Sequence, residues 1–343
     1  MKKLTALLLL IIAFACSDVK ENKTNINATS TKVNSNLVTT PKGDGFYLEY
    51  NFRKGENHKY KITTFSSNAQ ELVSDTVGNT LATQKVEYIV QLDVKNVDSS
   101  RIAKIDIFVE SIIVSGEING QEVNYDSKYI FGSQERIMFA QYEAIKKKKF
   151  TVDLTKHGEI LKVYNTNSII KEVFSIQQQA GNLSQEQKNE LSSTITNSVL
   201  RALSEQIFRK FPFEKVSINY SWSESYNSQY ALFQIENIVT FQLTDLTTSD
   251  NDSIAVFNAG LSINFVGEHT AIEQGMNFYF YDPVVSGSGT IRFSKSKGLV
   301  LYSETSTSME MQTDIDGIDQ NQSPIKAKRT DTSTNKNIIE LLQ

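Results

Sequence analysis

Val86-Glu87-Tyr88-Ile89-Val90-Gln91-Leu92-Asp93-Val94-Lys95 is the stretch that decides the fold class. Val86, Tyr88, Val90, Leu92 and Val94 are apolar, Glu87, Gln91, Asp93 and Lys95 are polar, and only Ile89 breaks the alternation. Successive side chains of a strand point to opposite faces, so this is a strand with one face buried and the other in water. Ala103, Ile105, Ile107 and Val109 repeat the pattern against Lys104, Asp106 and Glu110, and the short Asn96–Ser100 segment between the two runs predicts an antiparallel hairpin. Working outward, similar runs occur at Tyr47–Phe52, His58–Phe65, Phe150–Leu154, Ile160–Tyr164, Val216–Tyr226, Tyr230–Leu246, Ile254–Val266, Met276–Phe280, Ser288–Phe293 and Leu299–Met311. Only four prolines interrupt the chain, so many of these strands are expected to be long.

The region 167–211 has no period of two. Ile169, Ile170, Val173, Phe174 and Ile176 fit one short helix. Ser184 with Gln187 forms a capping box, and Leu191, Ile195, Val199, Leu203 and Ile207 then recur every four residues along a second, longer helix. Gln134–Ile145 is a third helical candidate. The class read from these patterns is α+β: long antiparallel strands in a curved sheet or half-open β-barrel, with a central pair of helices packed on its concave face. Ile89–Val97 and Ile238–Leu246 match in their apolar positions and closing Asn or Asp, and Tyr60-Lys61-Ile62 matches Tyr220-Ser221-Trp222, which raises the option of two related halves.

The N-terminus carries a different message. Lys2 and Lys3 precede an apolar run, Leu4–Ala15, too short to span a bilayer, so residues 1–15 read as an export signal. It ends at Ala13-Phe14-Ala15-Cys16, with the chain's one cysteine at the cleavage position. Two readings follow: a lipidated Cys16, or ordinary secretion at an A-x-A site. The first is adopted, making the chain a lipid-anchored protein of the outer membrane, on its periplasmic or cell-surface side. Residues 16–44, rich in Asn, Thr, Ser and Lys, read as a tether, and 45–343 as one β-rich domain with its helical insert at about 167–211. The chain has no second cysteine for a disulfide and a net charge of -4, which disfavours a nucleic-acid partner.

From these features the chain resembles a family of Bacteroidota lipoproteins known only as a domain of unknown function, family 6263. The resemblance rests on the signal ending in cysteine, the polar tether, the segment Phe52-Arg53-Lys54-Gly55-Glu56-Asn57-His58-Lys59-Tyr60-Lys61, and Phe150-Thr151-Val152-Asp153-Leu154 leading to Gly158-Glu159-Ile160-Leu161-Lys162-Val163. It covers roughly Gly45 to the end and brings no catalytic residues. In architecture the pattern also resembles the half-barrel carrier fold of bacterial lipoprotein chaperones.

No constellation in the sequence carries catalysis. His58, His157 and His269 are far apart, and Glu268-His269 with Glu273 lacks the second histidine of a zinc framework, so it reads as a polar loop with no metal. Asp314-Ile315-Asp316-Gly317-Ile318-Asp319 has its glycine misplaced for an EF-hand and reads as a solvated turn. Ser286-Gly287-Ser288-Gly289 lacks the first glycine of a nucleophile elbow and reads as a turn. Lys146–Lys149 is a basic run that suits anionic lipid heads or polysaccharide, or simply a solvated loop. Phe278-Tyr279-Phe280-Tyr281 suits an apolar cavity, sugar stacking or strand packing. The expectation is a non-enzyme without cofactor, attached to the membrane through its N-terminal lipid, whose body binds or carries a hydrophobic small molecule. The alternative is a structural or protein-interaction module of the envelope with neither ligand nor catalysis.

Overall fold

The computed structural model describes residues 45–176, 184–230, 233–249, 252–273, 275–318 and 324–342. The alternating stretch Val86–Lys95 lies in β2 (Val77–Val97), which pairs with β1 (Asn57–Val73) on one side and β3 (Ala103–Ile118) on the other. β4 (Gln121–Asp126) turns back along the end of β3. After two short helices, α1 (Ser133–Met138) and α2 (Ala140–Ile145), come β5 (Lys149–Leu154) and β6 (Ile160–Tyr164). Then follow α3 (Asn167–Ile176), α4 (Gln185–Thr194), a π turn over Ile195–Leu200, and α5 (Arg201–Ile207). The chain then forms β7 (Ser221–Tyr230), β8 (Phe233–Ser249), β9 (Asp252–Val266), β10 (Thr270–Glu273), β11 (Met276–Phe280), β12 (Val284–Ser294), β13 (Leu299–Ile318) and β14 (Pro324–Leu342).

All these strands belong to one antiparallel sheet, curved and open, in the order β6-β5-β3-β2-β1-β14-β13-β12-β9-β8-β7. β13 holds β12 along its first half and β11 along its second, so β11 extends the line of β12. The order on either side of β14 is the same when read strand by strand: β6-β5-β3-β2-β1, then β13-β12-β9-β8-β7. Irregularities fall at matching places. β2 skips a residue against β3 between Val94 and Asn96, and β8 skips one against β9 between Leu243 and Asp245. Gly55 and Asn219, both at positive φ, donate to the carbonyls of Val94 and Leu243. Since Val94 N–H then donates to Glu56 and Leu243 N–H to Tyr220, the structure sets Tyr220 opposite Glu56 rather than Tyr60.

The core lies on one face and near one end of the strands. Tyr60 and Ile62 of β1, Val90 and Leu92 of β2, Ile105 and Ile107 of β3, Ile339 of β14, Ile291 of β12 and Phe257 of β9 are buried in one apolar cluster. Ile169, Val173, Ile195, Leu200, Leu203 and Ile207 of the helical region join the same cluster. Arg201 donates from Nη1 to the Ile160 carbonyl, 2.7 Å, which ties the helices to β6, the edge of the sheet. The helices thus share the sheet's core cluster; a central pair packed on the concave face, expected from the sequence, is not established by these contacts.

Three further expectations shift. Tyr47–Phe52 has the burial alternation of a strand, yet its backbone bonds go to turns, Tyr50 N–H to the Lys156 carbonyl and Asn51 N–H to that of Gly298. The Ser184–Gln187 capping box is present, with Gln187 N–H donating to Ser184 Oγ at 3.2 Å and Ser184 N–H to Gln187 Oε1 at 2.9 Å. Beyond it the π turn adds a residue to the helical period, so Leu200 is buried while Val199 is 38% exposed. β14 is not predicted by the sequence pattern, because TDTSTNKN at 330–337 is polar on both faces and offers no alternation.

Candidate functional site

Past the core the strands continue. From Ser66 to Val73 on β1, and over the paired part of β2, side chains on both faces are exposed or only partly covered. β14, between β1 and β13, has the same two-sided polar character along 330–337. Here four strands carry a hydroxyl-rich patch. Cross-strand pairing sets Phe65, Lys336, Ser306 and Ser288 in one row, and Ser67, Thr334, Ser308 and Ser286 in the next. The core row of Ile62, Ile339, Ser303 and Ile291 is three residues away on each strand. Side chains alternate faces, so the two hydroxyl rows lie on the face opposite the apolar core.

Between the rows is a trough of about 450 Å³. It is lined by the two hydroxyl rows and by the intervening Ser66–Asn335–Thr307–Gly287 row. The trough exists because nine of its twelve lining residues are Ser, Thr or Gly and leave space beside the bulkier Phe65 and Lys336. Three strand spacings give a length of about 14 Å and two residues of rise a width of about 7 Å. The lining mixes carbon surface, from the Phe65 ring, threonine methyls and serine methylenes, with hydroxyls, the Asn335 amide and one ammonium. Lys336 is not a free charge: its Nζ pairs with Glu304 at 2.7 Å.

Glycine shapes this part of β12. A Cβ on Gly287 would stand 2.5 Å from the Leu261 Cβ, and one on Gly289 2.7 Å from the Thr305 Cγ2. Ser286-Gly287-Ser288-Gly289, expected as a turn, is therefore part of β12, with its glycines where neighbouring side chains approach. Asp314-Ile315-Asp316-Gly317-Ile318, also expected as a turn, is the end of β13, where Asp314 accepts from Tyr281 at 2.7 Å; Asp319 lies outside the described residues. Cys16 does too.

The other sequence candidates scatter. His269 holds the Phe280 carbonyl through Nδ1 at 2.8 Å and stacks on Phe265 with ring centroids 4.2 Å apart. Phe278 and Phe280 turn to an apolar cluster with Ile235 and Met311, whereas Tyr279 and Tyr281 are exposed. His58 lies beside Glu56, and His157 sits buried in the Gly158 turn against Phe213. Among the described residues no three of His, Cys, Asp and Glu come together as a metal site. At the His157 turn, burial opposes ionisation of Glu49, but Lys156 and Arg101 both donate to its carboxylate and hold it below the usual carboxylate range. Burial, then the Lys156 charge, holds the His157 imidazole below its ordinary value. This cluster pins the Glu49–Tyr50 segment to the sheet and encloses no ligand-sized space.

The trough was not foreseen. Ten of its twelve residues are Ser, Thr, Asn or Gly, which in sequence look like loop, and the lining comes from four strands separated by up to 271 positions. The signal that existed was the Ser/Thr repetition in Ser303–Ser308 and Thr330–Thr334, five of six and four of five residues respectively. No described helix is long and apolar enough to cross a membrane.

Known proteins add a family and little more. Among solved structures, lipovitellin, in a study of its lipid–protein interactions, aligns with 85% of this chain at 9% identity and a TM-score of 0.41. This chain spans only 26% of the lipovitellin chain. The COG4313 outer membrane channel from Pseudomonas putida F1 aligns with 88% of this chain over all of its own length at 8% identity, TM-score 0.17. OccK7 (OpdD) from Pseudomonas aeruginosa aligns with 84% over 99% of its own chain at 6% identity, TM-score 0.24. Likeness at these scores says nothing about what this chain does. No curated protein matches it. One family profile does match, over residues 100–300, more than half of the 343. The chain belongs to the family of unknown function DUF6263.

Proposed function

We propose that the chain is a non-enzymatic binding module of the cell envelope, tethered through Cys16, whose ligand is a neutral, hydroxyl-rich molecule, a short glycan segment, seated in the trough across β1, β14, β13 and β12. The observation that supports the ligand class is the lining: hydroxyls, one amide and carbon surface, with its ammonium already neutralised by Glu304. Sugars present the same mixture of hydroxyls and C–H faces, and an aromatic ring beside a polar groove suits them. The envelope placement rests on the signal and the position of Cys16 in the sequence.

A hydrophobic cargo, the first expectation from the sequence, would need an apolar volume on the order of several hundred Å³. The helices' apolar side chains instead pack into the sheet's own core cluster. Calorimetric titration of the full chain with a panel of soluble neutral oligosaccharides tests the reading. At least one should bind, and Ser308→Trp, which fills the trough from a half-buried position of its lining, should abolish binding and leave the melting temperature in place. A panel with no binder, or binding that Ser308→Trp leaves intact, would count for an interaction module without a small ligand.

A further inference from the structure

A second surface lies where the chain passes from β4 through α1 and α2 to β5. Four large apolar side chains project there into solvent: Ile130 is 98% exposed, Met138 70%, Tyr129 57% and Ile137 49%. They sit on a firm base. Tyr125, Phe131 and Phe139 stack beneath them with ring centroids 5.0–6.0 Å apart, and the Tyr125 hydroxyl donates to the buried Glu143 carboxylate at 2.8 Å. Exposed Ile and Met on a packed base are held outward by the fold.

The charge around them has one sign in excess. Residues 126–149 carry six basic side chains against three acidic ones. Each acid is engaged: Asp126 with Lys128, Glu135 with the Gly132 N–H, and Glu143 with Lys146, Arg136 and Tyr125. The nearby acids on other elements, Glu172 of α3 and Asp106 of β3, are likewise paired, Glu172 with Arg136 and Lys148 and Asp106 with Lys95 and Lys149. Lys147 is exposed, at φ 55°, and among the described residues has no acidic partner. Lys128 lies over the Tyr129 ring at 4.7 Å and Lys146 over that of Phe131 at 5.9 Å, so apolar and cationic groups are interleaved.

We infer that this knob is a membrane-contact surface which inserts Ile130 and Met138 among the acyl chains of an anionic lipid surface while the lysines meet the headgroups. The chemistry is that of interfacial attachment: apolar side chains below the headgroups, Tyr at their level and Lys around them. A protein partner would be met by a flatter patch or a groove; Ile130, nearly free of neighbours, is a wedge. The contact is separate from acylation at Cys16 and orients the body against the bilayer.

The experiment is vesicle flotation of the full chain carrying Cys16→Ala, so that no acyl group contributes. It should float with phosphatidylcholine–phosphatidylglycerol vesicles and less with pure phosphatidylcholine, and added salt should weaken it. Ile130→Asp with Met138→Asp should lower the partition roughly tenfold or more. Lys147→Gln with Lys149→Gln should lower it roughly twentyfold. All four positions are on the surface, and unchanged emission from the single tryptophan, Trp222, certifies the fold of each variant. Absence of flotation, equal binding to both vesicle types, or binding that both double variants leave unchanged overturns the inference.

Discussion

Replacing Leu200 and, separately, its neighbour Val199 by alanine asks whether the helical insert keeps a four-residue stripe or changes phase at the π turn. Leu200 is fully buried, in one cluster with Ile169, Leu203 and the sheet. Leu200→Ala removes about three carbon groups, about 2.4 kcal/mol of transfer free energy at ~0.8 kcal/mol each. The cavity left in a packed core raises the cost to about 3–5 kcal/mol. Val199 points outward, so Val199→Ala loses little burial and gains about 0.5 kcal/mol of helix propensity, for a net change within about 0.5 kcal/mol of zero. Trp222, the chain's single tryptophan, is buried in the same cluster and reports unfolding in urea by its fluorescence. The midpoint should fall strongly for Leu200→Ala and stay for Val199→Ala, with equal slopes. The reverse order, or equal losses, would refute the phase shift and restore the Leu191–Ile195–Val199–Leu203–Ile207 stripe.

Three other outcomes are expected. Gly55 and Gly158 both have φ near +90°, but a Cβ on Gly55 meets nothing, whereas one on Gly158 would stand 2.0 Å from the Arg209 carbonyl oxygen. Gly55→Ala should therefore cost only about 1 kcal/mol of backbone strain and Gly158→Ala more than about 2 kcal/mol, read from urea midpoints. Stability should also follow pH in two stages. His157 has a folded value below its ordinary 6.5, so its neutral form favours folding, and stability present above that value is lost as pH falls below it. Glu49 has a folded value below 4.5, so its contribution is lost only on further acidification. In thermal melts His157→Gln should flatten the first stage and leave the second, and a variant with an unchanged first stage would assign that stage to other groups. Finally, the intact mass of the exported protein should show a diacylglyceryl-modified Cys16, and Cys16→Ala should move the chain from the membrane to the soluble fraction; an unmodified N-terminal cysteine would favour plain secretion.

The β-rich reading came from places where one face of a strand is buried. β2 and β3 were legible residue by residue, because burial writes itself as alternation in Val86–Val94 and Ala103–Val109. The Ser184 cap was legible because its bonds are local. β14 was illegible for the converse reason. Its partners β1 and β13 stand on both sides, but both faces of 330–337 are polar, so no alternation of apolar side chains marks it as strand. The π turn was missed because a one-residue phase change in Ile195–Leu200 is decided by packing against the sheet, while local propensity fits an uninterrupted α-helix equally well.

By itself the sequence determined what is local or strictly periodic: strands and helices by their periods, and the capping box. Only the tertiary structure decided which strands are neighbours. It joined β1 to β14, residues 59 to 342, and so brought Ser67, Thr334, Ser308 and Ser286 into one row. It also turned Tyr129, Ile130, Ile137 and Met138 outward together above a packed aromatic base. The physical reason is range. A side chain's preference for helix, strand or cap is set within a few residues, whereas a trough or a surface knob depends on backbone pairing between segments far apart in sequence, and serine and threonine carry no periodic mark of where that pairing will put them.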